Sequence, residues 1–98
     1  MKLRELNGEL IHLDPPAEGG GRPMRQVDAL AEADAIQFDC PQCGPTHRCL
    51  VPFEGRAFGD GWAVDASSLS LETLTLRPSI FYQRGCGWHG FITNGEAA

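Results

Sequence analysis

Two short segments carry the chemistry most open to a physical reading: Cys40-Pro41-Gln42-Cys43-Gly44 and Cys86-Gly87-Trp88-His89-Gly90. Each places two soft donors at a spacing of two intervening residues and follows them with glycine. Donors so spaced can reach one ion from a single tight turn, and the glycine permits the positive φ that lets backbone N–H groups approach a thiolate. Together the four side chains make a Cys3His set, a closed tetrahedral arrangement for structural zinc. Three thiolates and one imidazole suit zinc better than magnesium or calcium, which take oxygen donors, and an iron–sulfur cluster usually takes four cysteines. The spacing therefore predicts one structural Zn2+ per chain, held by Cys40, Cys43, Cys86 and His89. Disulfides compete for the same thiols, but Met1-Lys2-Leu3-Arg4-Glu5 lacks the apolar core of a secretion signal, which favours a reducing compartment. A thioredoxin-like use of Cys-x-x-Cys lacks the βαβ pattern around it. Apparent zinc-binding energies of ~10–16 kcal/mol exceed the ~5–15 kcal/mol stability of an ordinary domain, so removing the ion is expected to unfold the chain.

Cys49 and His47 stand outside the two turns, and on a strand they share a face because they are two residues apart. Either can replace a turn residue as ligand, although Cys49, next to the apolar pair Leu50 and Val51, reads first as a small buried hydrophobe. If His89 is a ligand it is not a free base, and His47 is then the histidine of the second half left for proton transfer. Ser79 in Arg77-Pro78-Ser79-Ile80 leads the candidate nucleophiles, ahead of Ser67, Ser68, Ser70 and Thr73, because Pro78 restricts the backbone beside it. A serine hydroxyl needs a base at about 2.6–3.2 Å and the base needs an orienting group, for which Asp39, Asp60 and Asp65 are available. The competing reading has Pro78-Ser79 simply opening a strand, with the hydroxyl bonded to its own backbone. Trp88, inside its turn, is expected to be partly exposed to a partner, and Trp62 to cap the core. His12 has no chemical neighbour in the sequence.

The elements that must position these groups are short. The chain has 98 residues, 42% hydrophobic and 8% aromatic, enough for one modest core. Seven prolines and twelve glycines divide it into brief apolar runs, and the fold class expected is α+β, mostly antiparallel β, a small zinc-stabilised domain with one or two short helices at most. Residues 1–34 read as an N-terminal hairpin around Asn7-Gly8, a Pro/Gly loop over 14–23 and a short helix between Met24 and Ala35, where Val27, Leu30 and Ala31 recur at helical spacing. Residues 35–98 read as the β-rich core, with strands expected at 35–38, 48–53, 69–76, 79–82 and 91–93. The alternation in the third of these breaks at Glu72-Thr73, which marks a bulge or short turn. Eight basic against thirteen acidic residues give a net charge of −5, which argues against a phosphate-tracking surface and so against nucleic acid as a partner. No apolar run is long enough to span a bilayer, and no membrane association is expected.

The ordered set Phe38-Asp39-Cys40-Pro41-Gln42-Cys43-Gly44, His47, Trp62, Thr75-Leu76-Arg77-Pro78-Ser79-Ile80 and Cys86-Gly87-Trp88-His89-Gly90-Phe91-Ile92-Thr93-Asn94-Gly95 resembles a small family found in phage genomes and in bacterial ubiquitin-like conjugation gene clusters. There it is similar to the deconjugating serine peptidase of bacterial ubiquitination-like (Bub) pathways. The resemblance runs from about Ala35 to Gly95. It implies a zinc-stabilised fold with Ser79 as nucleophile and His47 as its proton-transfer partner, acting at the C-terminal end of a ubiquitin-like protein in the cytoplasm of a bacterium or phage-infected host. The alternative class is a non-catalytic zinc-ribbon-like module that binds a protein through Trp88 and exposed strand edges.

Overall fold

The computed structural model describes residues 1–15, 18–21, 23–56, 59–81 and 86–98. Its framework is a four-stranded antiparallel sheet in the order β2-β1-β3-β4, with β1 at Glu9–Leu13, β2 at Met24–Val27, β3 at Ala35–Cys40 and β4 at Gly44–Pro52. The central strand β3 is buried almost throughout, as its composition Ala-Ile-Gln-Phe-Asp-Cys requires. Ile36, Phe38 and Cys40 share one face by the two-residue alternation of a strand, and all three are fully buried. Across the ladder Ile36 faces Val51 and Phe38 faces Cys49, so the buried face continues onto β4. The register shifts between Asp39 and Cys40, where Cys40 pairs with Gly44 across the tight turn. Gly44 has a φ of 78°, the conformation expected of the glycine after Cys43.

Among the described residues three two-stranded ladders accompany this sheet: β5 (Ala63–Val64) with β6 (Leu76–Arg77), β7 (Ile80–Phe81) with β8 (His89–Gly90), and β9 (Ile92–Thr93) with β10 (Glu96–Ala97). Leu74, Leu76, Ile80, Trp88 and Ile92 from this region pack with Leu3, Leu6, Leu10, Phe38, Val51 and Phe53 into one core. The break expected at Glu72-Thr73 is a 3₁₀ turn, Leu71–Thr73, closed by a reciprocal capping box between Ser70 and Thr73. No helix among the described residues exceeds three residues.

Two expectations for the N-terminal part are corrected. The helix expected between Met24 and Ala35 is instead edge strand β2 followed by the 3₁₀ turn Leu30–Glu32. Val27 is held as the β partner of Leu10, and that pairing overrides the helical spacing of a segment too short to be stable alone. Asn7-Gly8 does not turn a hairpin. Asn7, at φ 53°, closes a compact turn over residues 3–7, and the N–H of Gly8 donates to the Leu3 carbonyl at 2.8 Å. Strand β1 then pairs with β2 and β3 rather than with the segment before the turn. In the Pro/Gly loop Pro16, Ala17 and Arg22 lie outside the described residues, as does Tyr82 of the strand expected at 79–82.

Candidate active site and metal centre

The turn between β3 and β4 carries Cys40 and Cys43, and β4 then returns past them with His47. Cys86 comes from the segment before β8 to close the group. One donor atom from each of Cys40, Cys43, His47 and Cys86 lies within 4.8 Å of the others, and the Cys40 and Cys86 sulfurs are 3.4 Å apart. Four donors about 2.0–2.3 Å from a common centre sit roughly 3.5–3.8 Å from one another, so the group fits a four-coordinate ion with modest adjustment. Gln42 Nε2 donates to the Cys86 carbonyl oxygen at 2.9 Å and ties the two distant segments together beside the sulfurs.

The thiols already differ in their protonation. Burial pushes the Cys40 thiol up, but hydrogen bonds from the backbone N–H groups of Cys43 and Gln42, with Cys86 and His47 alongside, outweigh it and hold the thiol down at about 6. Cys43 is pushed up to about 11, first by its hydrogen bond with Cys86, then by desolvation and by the charge at Cys40. A thiolate is thus favoured at Cys40 and opposed at Cys43. Repulsion between thiolates is what a divalent cation relieves, so the donor set fits a metal.

This placement exchanges the two histidines expected from spacing. His47 is in the cluster because it continues the face of β4 that carries Cys49 and Val51, which meets Ile36 and Phe38, and beyond the register shift at Asp39 it reaches the Cys40 thiol. His89 is outside it. Trp88 is buried with 7% exposure, edge-on to Phe38 at a centroid distance of 5.9 Å, so the next residue of the strand must point the other way. There His89 Nε2 lies 3.0 Å from Ser79 Oγ. The Cys-x-x-His spacing concealed this because it contains the tryptophan whose burial sets the direction of the histidine. The same burial removes Trp88 as an exposed anchor for a partner.

Ser79 and His89 are brought together by adjacent strands. Ser79 immediately precedes β7, and Phe81 on β7 pairs with His89 on β8. The Phe81 ring stacks on the imidazole at 5.1 Å between centroids and 23° between planes. Every aspartate and glutamate of the chain is among the described residues, and no carboxylate is hydrogen-bonded or ion-paired to His89. Asp39 is held by Arg48 at 2.8 Å and by Asn7 at 2.7 Å, and Asp65 by Ser67 and Arg77. The upstream hydroxyls are engaged locally: Ser67 with Asp65, Ser68 with Thr75, and Thr73 with the N–H groups of Leu69 and Ser70. Cys49 is fully buried, as its apolar neighbours suggested. His12 is not isolated; its Nδ1 lies 2.9 Å from the Glu32 carbonyl oxygen and 3.2 Å from Asp34.

Beside Ser79 opens a groove of about 480 Å³, walled by Thr75, Arg77, Pro78, Phe91 and Thr93. Phe81 on β7 and Phe91 just after β8 are both more than half exposed. Ser79 therefore combines an imidazole within hydrogen-bond reach of its hydroxyl with a place in the wall of an open groove that Phe91 also lines, an arrangement compatible with a nucleophile.

Fold and site together define a small antiparallel β domain that sets a serine–histidine pair beside a cysteine–histidine cluster able to hold a metal ion. The family model of bacterial ubiquitination-like system serine protease (BubE) matches residues 20–98, and the chain belongs to that family. No match was found among curated proteins or among solved structures.

Proposed function

We propose that the protein is a serine peptidase that releases a ubiquitin-like modifier, with Ser79 as nucleophile, His89 as its base and a structural Zn2+ on Cys40, Cys43, His47 and Cys86. The observation that carries this reading is the 3.0 Å approach of His89 Nε2 to Oγ of Ser79, a residue that lines the groove, in a chain of the BubE family. Ser79 Oγ attacks the carbonyl carbon at the C-terminal end of the modifier while His89 Nε2 takes the hydroxyl proton. The tetrahedral intermediate collapses as His89 returns that proton to the departing amine, leaving the modifier as an ester on Ser79. A water molecule, deprotonated by His89, then hydrolyses the ester and restores the serine. No carboxylate among the described residues completes a triad in this scheme, and the stacked ring of Phe81 limits rotation of the imidazole in its place.

The metal supplies stability rather than an open coordination position, since four protein donors fill a tetrahedral site. Cys86 stands three residues before His89, so ordering the cluster also orders the start of the catalytic strand. The need for reduced thiols accords with a cytoplasmic setting. A serine-reactive fluorophosphonate probe tests the reading directly. The parent chain is expected to take up one adduct on Ser79, and Ser79→Ala none, with unchanged metal content by native mass spectrometry. Labelling of Ser79→Ala at the parent rate would overturn it.

A further inference from the structure

Trp62 does more than close the core. It packs half-buried against the hydrophobic cluster, but its indole N–H leaves the apolar side and donates to the carbonyl oxygen of Ser79 at 3.2 Å. The segment bearing the indole is itself held firmly. The N–H of Trp62 donates to the Pro52 carbonyl at 2.9 Å, its carbonyl accepts from the N–H of Glu54 at 2.9 Å, and Phe53 and Trp62 form a parallel bridge. Gly61 makes this approach possible, because a Cβ there would run into the carbonyl of Pro52 and the backbone of Phe53. Pro52 ends β4, and Phe53 is fully buried. The indole thus connects the four-stranded sheet to the main chain of Ser79.

We propose that Trp62 is a positioning residue for the nucleophile: its indole N–H fixes the Ser79 peptide so that Oγ stays within reach of His89 Nε2. The inference rests on the reading of Ser79 as nucleophile. Filling the core needs only the ring, whereas the hydrogen bond is aimed at the one residue whose orientation decides whether attack occurs. Displacements of about 1 Å at a reacting atom can cost on the order of 100-fold in rate. Loss of this single contact should cost less, because the strand pairing of Ile80 with Gly90 remains.

The test compares the full-length parent with Trp62→Phe, which keeps an aromatic ring in the core and removes the donor. A second chain carries 3-benzothienylalanine at position 62, which keeps the bicyclic shape and lacks the N–H. With a fluorophosphonate probe, the maximal inactivation rate is expected to fall about fivefold to tenfold in both, the scale of one hydrogen bond. The half-saturating probe concentration and metal content of the benzothienyl chain stay at parent values, and its Tm falls by no more than the few degrees that one hydrogen bond is worth. A parent-like inactivation rate in a folded chain lacking the N–H overturns the proposal. So does a loss confined to probe affinity, which would make Trp62 part of the binding surface. Undiminished labelling of Ser79→Ala is a different result, and it would remove the nucleophile assignment itself.

Discussion

The exchange of places between His47 and His89 predicts opposite phenotypes for two alanine variants. His89 is exposed, and its described contacts are with Ser79 and the Phe81 ring. In His89→Ala the lost ring stacking should cost no more than ~0.5–1.5 kcal/mol of stability. The lost base should cost roughly 10²–10⁴-fold in attack by Ser79, about 2.7–5.4 kcal/mol of barrier. His47→Ala removes one of four donors grouped within 4.8 Å. Structural zinc contributes ~10–16 kcal/mol in small domains, a large quantity beside the ~5–15 kcal/mol stability of a chain this size. That variant should lose bound metal and its cooperative thermal transition, and labelling should disappear with the fold. The assay combines native mass spectrometry for one zinc per chain, thermal unfolding and the initial rate of fluorophosphonate labelling. His89→Ala should keep its zinc and fold while losing labelling. If His89→Ala sheds the metal and His47→Ala retains it, the ligand set deduced from Cys-x-x-His spacing is right and the geometric assignment is wrong. Parent-rate labelling of His89→Ala would separately refute the dyad.

Two further perturbations probe the framework. Phe38 is fully buried, faces Cys49 across the ladder and meets Trp88 edge-on, so Phe38→Ala should destabilise the chain by ~3–5 kcal/mol in urea denaturation; a loss under ~1 kcal/mol would mean that this contact is not part of a close-packed core. Asp39 is held below the usual carboxylate range by its hydrogen bonds to Arg48 and Asn7, Asp65 by Ser67, and Glu72 by Arg4. A depressed folded-state value gives stability that is complete above the unfolded-state pKa near ~4 and is lost as pH falls through the folded value. The carboxylate contribution, read as the Tm difference between the parent and Asp39→Asn so that protonation of the cysteine–histidine cluster cancels, should therefore be constant from about pH 7 to 5 and shrink below about pH 4. An increase in that difference on acidification through that range would contradict the sign.

Local chemistry in the sequence located much of this molecule. The Cys40–Cys43 turn, its following glycine, the interruption at Glu72-Thr73 and the burial of Cys49 each depend on a few neighbouring residues, and each is present in the fold. Failures arose where a distant segment decides the outcome. Helical spacing around Val27 yields to a strand because Leu10 offers it a ladder. The choice between His47 and His89 depends on which face of each strand meets the core, and that is set by Cys49 with Phe38 in one case and by Trp88 with Phe38 in the other. The two-residue alternation that places His47 with Cys49 was visible in the sequence. What was not visible was that the same face reaches Cys40, since this requires the register of β3 against β4. The contact of Trp62 with Ser79 was hidden for a similar reason: a tryptophan after glycine gives no indication that its N–H will meet residue 79.

The cluster and the serine–histidine pair are linked through the four residues Cys86 to His89. Cys86 joins the cysteine group, Trp88 enters the core against Phe38, and His89 emerges on the opposite side beside Ser79. A shift of this segment by one residue would withdraw the sulfur, expose the indole and turn the imidazole away, because successive strand residues face opposite ways. The three contacts therefore specify one register jointly, but their dependence is unequal. Cys86 and Trp88 hold His89 in place through the cysteine cluster and the core, whereas among the described contacts the imidazole returns an exposed hydrogen bond and a stacked ring. Loss of the metal should accordingly disable the hydroxyl, while loss of the hydroxyl should leave the metal undisturbed. Under the proposed function, this asymmetry is the one expected of a structural ion that would support catalysis by fixing the position of a base rather than by touching the substrate.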